Sequence, residues 1–403
     1  MGNLKVPDDK AASAVSITRF YTRETWIEGR AEDQLQQVSC WPGMSAIAAF
    51  PDLHPGRHGP VGAAFLADRI YPQLVGPDIG CGMALFRLDM PRRKLRIDKS
   101  ARRLRVLEAG LAEDAALSAL SDAGLACSAP HGLGTIGGGN HFCEVQVVET
   151  VIDPYKAQNL GIARGDMCLL VHSGSRSLGA SVFNGIDDTW KDGFLPGSDS
   201  ARQYLDLHNK ANRWAKLSRS MIAGLAADAL NCDLEPICDA VHNNVEPWRG
   251  AWLHRKGAAS PDRGTAPLAG SRDSLSYLMD CGTSTHCAAD LAAGREIDSN
   301  RKAAPDTALG SLSHGAGRRY DRGSMHGRIR KTRSGLAEMS RTRFGGMVIC
   351  ENPDLMIEEA GHAYKDSASV AADLEQFGVA SRILALAPLI TYKTARSDPG
   401  DTQ

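Results

Sequence analysis

One run of eight residues, Gly76-Pro77-Asp78-Ile79-Gly80-Cys81-Gly82-Met83, limits what this chain can build more than any other stretch. Its glycines and proline rule out a regular helix, so a carboxylate and a thiol three residues apart are free to turn toward one point. That is the geometry of a metal-binding loop. Taken alone, Asp78 and Cys81 would fit a buried small thiol beside a turn equally well. Histidines flanked by glycine recur downstream, however, at His141, His172, His254 and His314. Thiolate, imidazole and carboxylate are the usual ligands of a transition metal.

The stretches around these histidines share a style. Phe50-Pro51-Asp52-Leu53-His54-Pro55-Gly56-Arg57-His58-Gly59-Pro60 packs an aspartate, two histidines and an arginine into a loop that is costly to order, and such loops often hold functional groups. Gly137-Gly138-Gly139-Asn140-His141 opens an alternating strand over residues 142–148, and three successive glycines let backbone N–H groups approach an anion. Met167-Cys168-Leu169-Leu170-Val171 reads as a buried strand that delivers His172 at its end, a common place for a site. Residues 199–230 keep helical spacing through Tyr204, Leu207, Ala211, Trp214, Leu217, Met221 and Leu225, which predicts a long core-facing helix with solvated charges. His242-Asn243-Asn244 follows. Cys281, His286 and Cys287 contain no Cys-x-x-Cys pair and read as structural.

Charge narrows the partners. A net charge of -1 excludes a protein coated in basic surface, so any nucleic-acid contact must be local. Two runs qualify, residues 91–105 and residues 318–333, each able to contact phosphate or simply to be solvated. No charged-then-apolar leader opens the chain, no apolar run approaches the roughly 18 residues of a membrane span, and the ten cysteines form no short paired framework. The expectation is a cytoplasmic protein with reduced thiols.

With Ser313-His314-Gly315-Ala316-Gly317-Arg318 a constellation is complete. Together with Pro77-Asp78-Ile79-Gly80-Cys81-Gly82-Met83, the Gly137–Phe142 run, His172-Ser173-Gly174-Ser175-Arg176 and His254-Arg255-Lys256-Gly257-Ala258, all in one order, it resembles the RtcB family of RNA ligases. The likeness extends from about residue 50 to Lys393 and includes Glu358-Glu359-Ala360-Gly361-His362-Ala363-Tyr364. It implies that Cys81 bridges two manganese ions, with Asp78 and His141 completing one site and His172 and His254 the other. It implies that His314 is the nucleophile that takes GMP from GTP. The guanylated histidine would then pass GMP to an RNA 3′-phosphate, formed where necessary from a 2′,3′-cyclic phosphate, and a 5′-hydroxyl end would displace it. Asn140, Glu144, Ser276, Tyr364 and Lys393, with His314, Gly315, Ala316, Gly317 and Arg318, match positions around the nucleotide.

Two departures stand out. Gly270-Ser271-Arg272-Asp273-Ser274-Leu275-Ser276-Tyr277 carries Arg272 and Asp273 where the family usually has Met and Gly. Residues 279–308 exceed the expected spacing and read as a polar, alanine-rich surface insertion. The shifted nucleotide loop and the chain's size resemble the shorter release-factor-H-coupled relatives, which implies RNA repair rather than tRNA splicing. The expected architecture is α+β, one RtcB-like catalytic domain over residues 1–403 with mixed sheets around a central metal cleft. Evenly alternating strands and helices, the mark of a doubly wound sheet, are missing. Two other functions stay open on the residues alone: a binuclear metal-dependent phosphodiesterase that uses the same ligands, and an inactive RNA-binding relative. Whether a helper protein is needed is not legible.

Overall fold

The computed structural model describes residues 15–126, 130–186, 192–281, 306–329 and 331–393. Alternating and continuous apolar runs form two main sheets and a two-stranded antiparallel pairing of Ala258–Ala259 with Leu312–Ser313, and mixed helices pack against them, as an α+β chain requires. The larger sheet runs, in spatial order, Thr265–Leu268, Ser276–Asp280, Ser381–Tyr392, Phe142–Val151, Met167–Ser173, Gly82–Leu88 and Leu234–Val241. These strands pair antiparallel throughout, and Met347–Ile349 adds a parallel eighth strand beside Ser381–Tyr392. The smaller sheet orders Ser16–Arg19, Met44–His54, Val61–Ala67, Ala251–Lys256 and Asn243–Trp248. The strands predicted at 142–148 and 167–171 are present and slightly longer than the sequence suggested.

The helix Asp199–Leu230 lies across one face of the larger sheet, where Ile222, Ala223 and Ala226 pack on Val145, Leu169 and Val171. Its buried stripe contains Tyr204, Ala211 and Trp214 as expected, but Leu207 is exposed and the polar His208 and Arg219 are buried instead. The reason is local. His208 Nε2 accepts the Val245 N–H at 3.1 Å, and Arg219 Nη1 donates to the carbonyls of Gly80 and Ser173 at 2.8 Å each. Arg219 Nε meets Asp239 Oδ1 at 2.8 Å. The helix thus braces the Asp78–Cys81 turn and the end of the His172 strand through one buried guanidinium, and its charges are not all solvated.

The edges of the insertion expected at 279–308 belong to the core, since Met279 is fully buried and Ala308 nearly so. Residues 282–305, including His286 and Cys287, lie outside the described residues. No described helix is long and apolar enough to cross a membrane.

Candidate active site

The turn at residues 76–83 is shaped by what packs on it. Gly80 has φ +72°, and a Cβ there would come within 2.9 Å of the Asn212 Cα on the long helix, so no other residue fits. The Gly80 N–H donates to the Asn243 carbonyl at 2.8 Å, Asn243 Nδ2 to the Asp78 carbonyl at 3.1 Å, and the His242 N–H to the Cys81 carbonyl at 2.8 Å. Asp78 and Cys81 are therefore clamped between the helix and the His242-Asn243 segment. A second clearance lies opposite, where a Cβ on Gly174 would meet Asp78 Oδ1 at 1.9 Å.

Three strand ends converge here. Cys81 precedes Gly82–Leu88, His141 precedes Phe142–Val151, and His172 closes Met167–Ser173. Cys81 Sγ lies 3.3 Å from His141 Nε2 and 3.2 Å from His172 Nε2, and Asp78 Oδ2 lies 2.9 Å from His141 Nε2. Cys81, His141 and His172 are all buried, with ligand atoms within 4.8 Å of one another. Burial, then the nearby charges, holds His172 well below the usual imidazole range, which keeps it in the neutral, metal-binding form. Burial first, then the Asp78 carboxylate, pushes the Cys81 thiol well up; a divalent cation between these groups would reverse that balance.

His254 does not join them. Its Nε2 accepts the Tyr71 N–H at 2.9 Å and its Nδ1 faces the Phe65 carbonyl at 3.3 Å, so both nitrogens are spent on backbone and the ring has no lone pair to offer an ion. His242 stands in its place. The His242 ring lies 5.1 Å from that of His172 and 4.6 Å from that of His314, and its Nδ1 is buried without a partner. A buried ring nitrogen orphaned next to the His172 and His314 rings fits a bound ion, and a set of thiol, imidazole and carboxylate donors suits a divalent transition metal. The sequence held a signal for it: His242 follows the strand Leu234–Val241 as His172 ends Met167–Val171.

His314 is held from one side only. Its Nδ1 is 2.7 Å from Asp52 Oδ2 and 2.7 Å from the Gly257 carbonyl, and its backbone N–H also donates to Asp52 at 3.2 Å. Both ring partners are acceptors, so Nδ1 carries the proton and Nε2 presents its lone pair. Asp52 is fully buried and lies near the end of the strand Met44–His54, so the proline-rich loop expected from residue 50 begins only after His54, and nothing in the sequence signalled the aspartate's role. The Gly257 N–H in turn donates to Asn243 Oδ1 at 2.8 Å, so one asparagine ties the Asp78 turn to the His314 support.

The nucleotide-matching residues fall into two groups. Ala316 N–H donates to the Ala269 carbonyl at 2.9 Å and Gly315 bridges Ala269, which places Gly315, Ala316 and Gly317 against the loop that begins at Gly270. Ser276 is buried; its hydroxyl accepts from Gly270 N–H at 3.0 Å and from Gln146 Nε2 at 3.1 Å, and Gln146 also donates to Glu144 Oε1 at 2.7 Å. Burial raises the Glu144 carboxyl to about 7 despite its bonds to Thr391 and Gln146. Asn140 sits partly buried in the turn before His141. The second group surrounds Glu359, a residue of the matching Glu358–Tyr364 run to which the sequence assigned no role. This buried carboxylate meets Arg318 at 3.0 Å, Arg322 at 3.4 Å and Lys393 at 3.6 Å, and accepts the Tyr364 hydroxyl. Burial alone would raise its pKa, but Lys393, Arg318 and Arg322 outweigh that and hold it at about 2. Lys393 Nζ also reaches the carbonyls of Gly139 and His141 at 2.9 and 3.2 Å.

Arg272, one of the two departures, is buried with Nη1 against Met356 Sδ and lies 3.7 Å from Asp273. The basic run at 318–333 is partly neutralised. Arg318 and Arg322 turn onto Glu359, His326 meets Glu358 at 3.0 Å, and Lys331 meets Asp354 at 2.7 Å. Arg330 lies outside the described residues.

The chain is similar to known proteins along most of its length. The family model described as "tRNA-splicing ligase RtcB" matches residues 34–118 and 96–394. The chain is 36% identical to the RNA-splicing ligase RtcB2 of Escherichia coli, over 94% of this chain and 95% of that protein. It is 26% identical to the tRNA-splicing ligase RtcB of Archaeoglobus fulgidus, over 90% and 91%, and 26% identical to the RNA-splicing ligase RtcB homolog 1 of Entamoeba dispar, over 89% and 81%. A turn that gathers a thiol, a carboxylate and imidazoles beside a singly supported histidine, on a chain matched along nearly its whole length, places this protein in the RtcB family.

Proposed function

We propose that this chain is an RNA ligase that joins RNA 3′-phosphate or 2′,3′-cyclic phosphate ends to 5′-hydroxyl ends, with GTP as co-substrate and manganese as cofactor, working in the cytoplasm as one catalytic domain over residues 1–403. The observation that carries the reading is His314, whose Nδ1 is locked on Asp52 and Gly257 while Nε2 is left free beside the His242 ring.

The lone pair on Nε2 attacks the α-phosphorus of GTP. A nitrogen–phosphorus bond forms, the bond from the α-phosphorus to its bridging oxygen breaks, and pyrophosphate leaves. The imidazole becomes cationic as it is guanylated, and Asp52, hydrogen-bonded to Nδ1–H, stabilises that charge. An RNA 3′-phosphate oxygen then takes the GMP and frees His314. Finally the 5′-hydroxyl oxygen attacks the activated 3′-phosphorus, GMP departs, and a phosphodiester remains. A 2′,3′-cyclic end is first opened by water to the 3′-phosphate. Asp78, Cys81, His141, His172 and His242 would hold manganese, which when bound offsets charge on the phosphates and aligns the attack. Gly315, Ala316, Gly317, Arg318, Asn140, Glu144, Ser276, Tyr364 and Lys393 surround the nucleotide. Tyr364 would stack or hydrogen-bond at the guanine.

The test is incubation with α-labelled GTP and manganese. Label should stay with the protein through a denaturing gel, in an acid-labile, base-stable bond, and His314→Ala should abolish it while metal content is retained. Labelling that persists in His314→Ala would move the nucleophile elsewhere. Phosphodiester cleavage with no labelling at all would favour a binuclear phosphodiesterase.

A further inference from the structure

The basic run at residues 91–105 takes no part in the cleft. It folds into two short 3-10 turns, Arg92–Lys94 and Leu104–Glu108, on either side of the helix Ile97–Arg103. Leu95, Ala101, Leu104 and Leu107 point into the core beneath the larger sheet. Arg92, Arg93, Lys94, Arg96, Lys99, Arg102 and Arg103 are all exposed, and none has an ion-pair partner among the described residues. The anchored leucines fix the spacing of these seven cations, so little order remains to be imposed when they meet an anion. Asp98 is turned aside to Arg341 at 3.3 Å, and Arg105 is bound to Glu351.

Beside this face runs a groove of about 800 Å³, floored by Met347, Ile349 and Met356 and rimmed by Arg102 and Arg105. That volume accommodates a nucleoside. Its walls lead to the site. The Ile349 carbonyl accepts the Lys393 N–H at 2.9 Å, and Lys393 Nζ reaches the His141 carbonyl, while Met356 packs on Arg272 of the loop beside Ser276.

We propose that this face and groove grip the body of the RNA strand whose end is being joined. Phosphates lie along the seven cations, and one unpaired base enters the groove, its plane on the Arg102 guanidinium and its edge over Met347 and Met356. Such a grip is sequence-tolerant, because it reads charge and a π-face rather than base edges. It explains how a protein with net charge -1 engages RNA: the cations are concentrated on one anchored turn–helix–turn. The inference rests on the RNA-ligase reading, because it assigns the strand's distal contacts to a site whose chemistry joins strand ends.

The test uses the full chain and a variant carrying Arg96→Gln, Lys99→Gln, Arg102→Gln and Arg103→Gln, all exposed positions. Binding of two 3′-phosphate single strands, one of about 20 nucleotides and one of about 4, is followed by fluorescence anisotropy from ~50 to ~200 mM salt. For the long strand the log–log salt slope should fall by roughly 3, at about 0.7 per contact, and affinity near ~150 mM should drop on the order of 10²-fold. The short strand should bind as before, and labelling of His314 by GTP should stay within about twofold of wild type, since neither reaches this face. Ala337→Trp, which adds bulk at another residue that lines the groove, should weaken the long single strand but not a blunt duplex of equal length, and should leave the salt slope unchanged. An unaltered slope for the long strand in the four-site variant would overturn the proposal, as would equal losses for both strands. Should wild-type protein bind RNA with this patch-dependent slope yet take no label from GTP, the ligase reading fails and the RNA-gripping face stands.

Discussion

At the scale of single residues, two histidines that look alike in sequence have opposite duties. His242 offers an orphaned Nδ1 beside His172, whereas both His254 nitrogens are committed to Tyr71 and Phe65. His242→Ala should therefore lower the manganese bound per chain, measured by equilibrium dialysis and elemental analysis, with little change in thermal stability. His254→Ala should keep its metal but lose roughly 1–3 kcal/mol of stability, because a buried backbone N–H is left without an acceptor. The reverse pattern would restore His254 to the metal site. Asp52 poses the neighbouring question. Asp52→Asn keeps the shape of the side chain but removes the charge that favours Nδ1–H, so Nε2 can hold the proton instead. Single-turnover labelling by GTP should slow by roughly 10²–10⁴-fold with metal content unchanged, the range typical when proton placement at a reacting group is lost. A rate within a few-fold of wild type would show that Gly257 alone orients the ring.

At the scale of elements, the site is a meeting of strand ends braced from behind by one helix. Arg219 carries that brace, so Arg219→Leu should destabilise by about 3–5 kcal/mol, because Asp239 keeps a charge that has lost its partner. It should also weaken manganese binding, since the Gly80 carbonyl of the metal turn loses its donor; denaturant melts with metal titration separate the two effects, and intact affinity would mean the turn holds itself. Across the larger sheet, Glu144 links Thr391 at 2.5 Å to Gln146 at 2.7 Å, and Gln146 reaches Ser276. These residues sit on three neighbouring strands. The Glu144 carboxyl is raised from 4.5 to about 7 in the fold. A raised carboxyl favours the protonated folded state, so its contribution is complete below about pH 4.5 and is lost as pH climbs through 7, at most on the order of 3 kcal/mol. Glu144→Gln should flatten the stability profile between those limits, and a profile identical to wild type would show that the strap does not titrate there.

At the scale of the whole molecule, the sequence made legible whatever local chemistry determines. The glycine-bound turn at Asp78 and Cys81, the strands that deliver His141 and His172, and the helix Asp199–Leu230 all follow from short-range pattern. What pattern could not supply was contact between distant segments. The Asp52 carboxylate reaches His314 across 262 residues, Glu359 gathers Lys393 and Arg318, and the choice between His242 and His254 depends on which faces solvent-free backbone on the smaller sheet. The same limit governs the run at 318–333, which reads as a uniform basic rail until the acids at 354–359 are placed beside it. Lys331 pairs with Asp354 at 2.7 Å, while Arg328 lies 3.8 Å over the Tyr320 ring and Arg333 is exposed. Replacing Arg328, Arg330, Lys331 and Arg333 with Gln should leave His314 labelling nearly unchanged and weaken binding of a 3′-phosphate RNA. Four free cations would each subtract roughly 0.7 to 0.9 from the log–log salt slope, but a lysine already held by a carboxylate releases little on RNA binding, so the expected loss is nearer 2 to 3 than 4. Restoring Lys331 alone should then recover almost none of the slope. Full recovery by Lys331 would show that its bridge to Asp354 opens for RNA, and loss of labelling in the four-site variant would place this run inside the GTP site.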